Sequence, residues 1–187
     1  MKFEGKLPKI LIISNPSGTD SLYEKLQKGP SHRSKLDYMV WDELVDNGHW
    51  EFPDKMGPPY IGFIYAMYDP VLGRAYIGKK VYLGTGQKNR GKDSGWRNYV
   101  SSSNLLKELF QHRPVSEFEF ICIEQYKTKG TLSYAETWSL CMAEAPTSKL
   151  FYNTRIESVS WSVKEPISER HKERLSMIIK RVKENNE

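Results

Sequence analysis

The chain of 187 residues has a formal net charge of +5 and an apolar fraction of 39%. This length is enough for one domain with additions at its ends, and the apolar fraction is enough for a packed core. No run of 18 apolar residues occurs, and the short apolar run near the N-terminus has no signal-peptide cleavage site, so we expect no membrane contact and a cytoplasmic location.

The first part of the chain is predicted to contain a strand and a helix. Residues 9–16, KILIISNP, have the pattern of a buried strand that ends in a turn, and residues 17–28 that of a helix. A segment rich in Gly and Pro follows at residues 48–59 and is typical of a boundary. We therefore predict an N-terminal β-α extension over residues 1–55.

A β-hairpin is predicted next, with strands 61–68 and 74–79. A hairpin centred between residues 70 and 71 pairs residues whose numbers sum to 141, which places Tyr65 opposite Tyr76 with Cβ atoms roughly 5 Å apart. Strand alternation then places Lys80 on the same face as both phenols. The pair could also be an aromatic cross-strand contact that only stabilises the sheet.

Positive charge is concentrated in residues 79–113. This segment has eight Lys or Arg and two acidic residues, a balance of +6 that exceeds the net charge of the whole chain. Its glycine-rich part, residues 82–100, is predicted to be a loop. Such a segment favours a phosphate-facing surface, although a solvated loop would have the same composition.

Further elements are predicted towards the C-terminus. A helix is expected from about Asn104, and residues 117–126 form a strand with two apolar faces, which favours a central position in the sheet. Residues 133–145 are a predicted helix and residues 150–156 a short extended segment. An amphipathic helix with a charged outer face is predicted to begin after Ser168.

The motifs of the hairpin resemble those of a known nuclease family. GFIY at residues 62–65 and AYIG at residues 75–78 are similar to the paired motif of the GIY-YIG nucleases. The blocks YIGKK, WRNYVSSSNLLKEL, EFEFICIEQYKTKG, SYAETWSL and FYNTRI resemble, in order, those of Seg-type phage homing endonucleases, over about residues 60–157. The resemblance implies an α/β (α+β) fold, in which helices flank a three-stranded antiparallel sheet, and metal-dependent hydrolysis of DNA phosphodiesters.

The resemblance also implies which residues form the site. Tyr65 and Tyr76 match the two tyrosines of the motif, and Gly78 matches its glycine, where the backbone passes close to neighbouring structure. Glu136 matches the metal-binding glutamate, and Asn153 the asparagine near the site. Mg²⁺ or Mn²⁺ would neutralise the charge on the phosphate, and a carboxylate is the kind of ligand that these ions prefer.

The sequence departs from the family where a cation is expected. Many members have an arginine about ten residues after the second tyrosine, whereas residue 86 is Gly here. Lys80 is our first candidate for this role, Arg97 the second, and Arg90 a third. A nearby cation could lower the pKa of Tyr65, which is therefore our first candidate for the general base.

Two of the predicted site residues also have purely structural interpretations. Glu136 stands three residues after Ser133, the spacing of a helix capping box, in which its carboxylate would bind the amide of its own helix. Asn153 could simply hold a turn.

Both ends of the chain show weaker resemblances. Residues 9–45 resemble a fragment of a phage large terminase subunit, without its phosphate-binding loop, and an unrelated extension is the alternative. Residues 166–181 resemble a nuclease-associated modular DNA-binding motif. We accordingly predict a basic helical tail over residues 158–187, which could instead be an amphipathic helix packed on the domain.

Together these patterns predict a metal-dependent endonuclease of the homing type that cuts double-stranded DNA in the cytoplasm of a phage-infected bacterium. The alternatives are a degenerate DNA-binding or terminase-associated module and a restriction endonuclease. A single active site would cut both strands as a homodimer or by acting twice. The predicted DNA contacts are Lys79, Lys88, Arg90, Lys92, Arg97, Lys172 and Lys180.

Overall fold

The computed structural model describes residues 46–156 and 163–186, all within one compact unit that begins at Asp46. The predicted strand and helix of the N-terminal extension, and the terminase-like segment 9–45, lie outside the described residues.

The core of the unit is a three-stranded antiparallel sheet, as predicted. Strands β1 (Gly62–Asp69), β2 (Arg74–Val81) and β3 (Glu119–Tyr126) are arranged in the order β2-β1-β3. The prediction that β3 is central is therefore wrong, because β1 occupies that place. β3 is apolar on both faces because both faces of the sheet are covered, and this pattern does not report lateral position.

Three α-helices occur within the described ranges: α1 (Asn104–His112), α2 (Lys129–Met142) and α3 (Glu169–Glu184). Helix α1 begins at the predicted residue. Helix α2 begins four residues before its predicted start, because Thr128 caps it and accepts a hydrogen bond from the Thr131 amide at 3.2 Å. None of the helices in residues 46–156 and 163–186 has the length and the apolar composition that crossing a membrane requires.

The register of the hairpin differs from the prediction. Tyr65 pairs with Gly78, and Tyr76 pairs with Met67, so paired residue numbers sum to 143 instead of 141. Tyr65 and Tyr76 are therefore diagonal neighbours. Each residue's partner shifts by two positions, so every side chain keeps its predicted face.

The closing turn explains this register. Asp69 pairs with Arg74, which leaves a loop of four residues. The Asp69 carboxylate accepts hydrogen bonds from the amides of Val71 and Leu72 at 3.0 and 3.2 Å. This side-chain turn holds the loop one residue further along the chain than the predicted centre.

Each face of the sheet has its own core. One face packs against α2 and α3 through aliphatic residues such as Ile64, Ile77 and Ile123. The other face forms a second core with α1 and with the loops, including residues of the predicted boundary segment. This core is rich in aromatic side chains and consists of Trp50, Phe52, Met56, Phe63, Tyr65, Met67, Tyr82, Trp96, Leu106, Phe118, Phe120, Cys122 and Tyr152.

The segment 46–60 is thus part of the domain. Glu51 forms a bridge with Ile121 on the outer edge of β3, and its amide donates a hydrogen bond to the Phe120 carbonyl at 2.7 Å. The segment therefore covers an edge that would otherwise expose unpaired backbone groups. The predicted boundary at residues 48–59 is not observed.

Helix α3 also belongs to the domain. It buries His171, Leu175, Ile178 and Val182 against the sheet and α2, and its arginines bind the domain as well. Arg181 forms an ion pair with Glu119 on β3. The structure therefore shows α3 as an amphipathic helix packed on the domain, which is the alternative that we gave to a DNA-binding tail.

Candidate active site

A cleft of about 440 Å³ opens beside β2, the edge strand of the hairpin. It brings together three of the predicted catalytic residues, Tyr76, Glu136 and Asn153, and two cations, Lys79 and Arg155. The other described residues that line it are Ile77, Ser102, Ser103, Asn104, Leu105, Thr137, Leu140, Tyr152 and Thr154.

Asn153 is held at the cleft by the backbone of β2. Its amide group donates to the Ile77 carbonyl at 2.8 Å and accepts from the Ile77 amide at 2.9 Å. The preceding residues also pair with this edge, since the Tyr152 amide donates to the Ala75 carbonyl at 2.8 Å. Asn153 therefore extends the sheet edge, and the suggestion that it only holds a turn is wrong.

Glu136 reaches the cleft from the second turn of α2. Its Oε2 atom lies 2.7 Å from the Nζ atom of Lys79, and both side chains are partly exposed. The capping-box interpretation of Glu136 is wrong, because α2 begins before Ser133 and is capped by Thr128.

Tyr65 is buried on the aromatic face of the sheet and is 1% exposed. Burial raises its pKa well above the usual value for tyrosine, and the nearby phenols of Tyr99 and Tyr76 raise it further. The predicted lowering of this pKa is therefore wrong, because the hydroxyl is removed from water and the hydrogen bond with Ser101, which lowers the pKa, does not offset this burial. Tyr65 keeps its proton at neutral pH.

Gly78 allows the two tyrosines to pack closely, as the sequence predicts. A Cβ atom built on Gly78 would lie 2.7 Å from the Tyr65 hydroxyl and 3.0 Å from a ring carbon of Tyr76. Any side chain at residue 78 would therefore displace these rings. Tyr76 is partly buried and lines the cleft.

Lys80 and Arg97, the candidates for the cationic role, are held away from the cleft lining. Lys80 donates to the Ser94 carbonyl at 3.0 Å, and its Nζ atom lies 3.9 Å from the centre of the Tyr99 ring. Partial burial lowers the pKa of Lys80. Arg97 forms an ion pair with Asp46 at 3.1 Å and stacks on Trp96.

Apart from Lys79 in the cleft and Arg97 beside Asp46, the predicted DNA contacts fall into two groups. Lys88, Arg90 and Lys92 are exposed on the loop that follows β2. Lys172 and Lys180 lie on α3, where each forms an ion pair with a glutamate of the same helix, at 2.6 and 3.5 Å.

The cleft offers a carboxylate and several hydroxyls to a hard divalent cation. Glu136 is the one carboxylate among the described residues that line it, beside the hydroxyls of Ser102, Ser103, Thr137 and Thr154. The described residues contain no group of three His, Cys, Asp or Glu side chains that could hold a metal ion. Because Mg²⁺ usually retains several waters, one carboxylate with substrate oxygens fits its needs.

Sequence reasoning missed two features of this site. Lys79 was expected to contact only DNA, although alternation along β2 would have placed it on the face of α2. The buried Asp69 carboxylate accepts a hydrogen bond from the Tyr152 hydroxyl and another from the Arg113 guanidinium, each at 2.6 Å. This contact anchors the segment that carries Asn153, and no local pattern predicts it.

Comparison with known proteins identifies the family of the domain. The family model described as "Putative endonuclease segE, GIY-YIG domain" matches residues 48–156, which is more than half of the chain. No curated protein and no solved structure matches the chain significantly. The matched range contains the whole sheet, α1, α2 and every described residue of the cleft, so the chain belongs to the SegE family of GIY-YIG endonuclease domains.

Proposed function

We propose that the protein is a metal-dependent endonuclease of the homing type that hydrolyses phosphodiester bonds of double-stranded DNA. The observation that carries the proposal is the cleft that joins Tyr76, Glu136 and Asn153 within a GIY-YIG domain. A carboxylate, a phenol and two cations in one cleft suit a reaction in which negative charge grows on phosphate oxygens.

In this proposal Glu136 holds Mg²⁺ or Mn²⁺. When bound, such an ion would neutralise the charge that develops on the phosphate. Glu136 is well suited to this role because α2 packs on the sheet and presents its carboxylate at the cleft.

The two tyrosines have different roles in this proposal. Tyr76 lines the cleft, so its hydroxyl can orient the attacking water, and its ionised phenolate form can accept a proton from that water. Tyr65 is buried and protonated, and it supports Tyr76 across Gly78. We therefore move the role of general base from Tyr65 to Tyr76.

The exposed loop with Lys88, Arg90 and Lys92 is the proposed contact with the DNA backbone. With one active site of this kind per chain, both strands would be cut by a homodimer on DNA or by two successive events. A terminase-linked role for residues 9–45 and action in the cytoplasm of an infected host remain predictions.

Cleavage of phage genomic DNA by the wild type and by Glu136→Ala, each with Mg²⁺ and with EDTA, tests the proposal. We expect discrete fragments only from the wild type with Mg²⁺, and a loss of at least about a hundredfold in rate for the variant. DNA affinity should change little, because the proposed phosphate contacts are Lys and Arg. Glu173→Ala, an exposed change on α3, is the matched control.

Cleavage by Glu136→Ala at the wild-type rate would contradict the assignment of Glu136. Salt-sensitive binding by the wild type, without cleavage under any condition, would favour a DNA-binding module that has lost its activity.

A further inference from the structure

We propose that Lys79 makes metal binding depend on DNA. In the protein without DNA, the Lys79 ammonium is paired with the Glu136 carboxylate. In the complex with DNA, the ammonium binds a phosphate instead, and the carboxylate can then bind the metal. This inference rests on the proposed function of Glu136 and adds a coupling between its two ligands.

The geometry of the pair supports this role. The Nζ atom of Lys79 lies 2.7 Å from the Oε2 atom of Glu136, a distance typical of a charge-assisted hydrogen bond. The side chains are 30% and 20% exposed, and both line the cleft. The ammonium therefore occupies space beside the only carboxylate among the described residues that line the cleft.

Competition follows from the charges. A divalent cation at Glu136 would lie close to the ammonium, and two positive charges a few ångströms apart repel each other even at the high effective dielectric of a protein surface. Metal binding therefore requires Lys79 to move away or to be neutralised by another anion. The four-carbon stem of lysine allows this movement without a change in the backbone.

DNA supplies the other anion. The cleft opens on the edge of β2, and the exposed basic loop with Lys88, Arg90 and Lys92 follows this strand directly. A backbone phosphate in the cleft would accept the Lys79 ammonium. Because coupling between two ligands is reciprocal, the metal would then strengthen DNA binding by the same factor by which DNA strengthens metal binding.

Lys80 is a natural control for this proposal. It is the neighbouring lysine on the same strand, but its ammonium binds the Ser94 carbonyl and the Tyr99 ring on the opposite face of the sheet. Removal of the Lys80 charge should therefore leave the competition between the Lys79 ammonium and a metal ion for Glu136 unchanged.

The first experiment measures Mn²⁺ binding to the full chain without DNA, by the electron paramagnetic resonance signal of free Mn²⁺. We expect Lys79→Met to bind Mn²⁺ roughly five- to tenfold more tightly than the wild type, because the competing charge is gone. Lys79→Arg, which keeps the charge, and Lys80→Met should bind like the wild type. Glu136→Gln should lose this binding in the wild-type and Lys79→Met backgrounds.

The second experiment repeats the titration with a saturating 20-base-pair duplex, whose integrity is checked on a gel afterwards. DNA should strengthen Mn²⁺ binding by the wild type at least about fivefold more than it strengthens binding by Lys79→Met. Equal Mn²⁺ affinities of the wild type and Lys79→Met without DNA would overturn the inference, and so would equal DNA effects. If Mn²⁺ binding never depends on Glu136, with or without DNA, the proposed metal site itself fails.

Discussion

At the scale of single residues, Gly78 determines how the two tyrosines of the motif are arranged. Tyr65 lies across the position where a side chain at residue 78 would be, and Tyr76 flanks it on the same strand. The ring centres of the two tyrosines are 6.2 Å apart. Because residue 78 has no side chain, the buried ring of Tyr65 can pack beside Tyr76 and hold the Tyr76 phenol at the cleft.

Gly78→Ala should destabilise the protein by about 1–3 kcal/mol, since the added methyl group overpacks a filled core. It should also reduce cleavage, because Tyr76 would be displaced. Urea unfolding followed by circular dichroism measures the free energy of unfolding. Gly86→Ala is the control, because a Cβ atom there meets nothing within 4 Å and the backbone φ is −74°; equal stabilities of the two variants would contradict the packing argument.

At the scale of elements, α3 is fastened to the domain by a buried polar network as well as by apolar packing. His171 is 0% exposed, and its two ring nitrogens lie 2.8 Å from the hydroxyls of Tyr126 on β3 and Ser139 on α2. Burial lowers the pKa of His171 to about 4, although the charge of Glu124 opposes this shift. The network therefore requires a neutral imidazole.

This pKa makes the docking of α3 sensitive to acid. The usual value of 6.5 applies in the unfolded chain, so below this pH the unfolded state takes up a proton that the folded state does not. The stabilisation that depends on neutral His171 is fully present above pH 6.5. About 3 kcal/mol of the free energy of unfolding should be lost as the pH falls from 6.5 to 4.

Denaturant titrations at several pH values, on the wild type and on His171→Gln, measure this effect. The amide of glutamine retains hydrogen-bonding groups but does not titrate in this range. The variant should be less stable at pH 7 and should lose less stability towards pH 4. The same pH dependence in both proteins would show that His171 does not carry it.

At the scale of the whole molecule, the positive charge is unevenly available. Arg181 and Arg170 of α3 bind Glu119 and Glu124 of the domain, and Arg174 donates to the Cys122 carbonyl. Two lysines of the helix are paired with glutamates of the same helix. The loop after β2, by contrast, exposes Lys88, Arg90 and Lys92. The structure thus favours the loop over the C-terminal helix as the DNA contact.

Simultaneous replacement of Lys88, Arg90 and Lys92 by Ala should reduce the slope of log affinity against log salt concentration by about 2–3, since each phosphate contact contributes about 0.9. The double change Lys172→Ala and Lys180→Ala should reduce it by less than about 1. Fluorescence anisotropy with a labelled duplex from 50 to 200 mM salt measures both slopes. A larger change from the helix variant would restore the predicted DNA-binding tail.

Much of the fold follows from local patterns in the sequence. Alternation and turn residues locate the hairpin, and the helix after Ser103 begins where its capping pattern indicates. The ordered motifs identify the family, and they select Tyr76, Glu136 and Asn153, which the cleft brings together. These features depend on residues that are close in sequence or on motifs that recur in the family.

The remaining features depend on contacts between distant segments, and only the tertiary structure decides them. The Asp69 carboxylate sets the hairpin register, and the aromatic residues that bury Tyr65 come from loops before and after the hairpin. The Lys79–Glu136 pair exists because α2 packs beside the edge strand. The sequence by itself determined the family and pointed to three residues that line the cleft. Packing decided which phenol and which lysine line it, since burial and charge pairing are properties of the assembled fold.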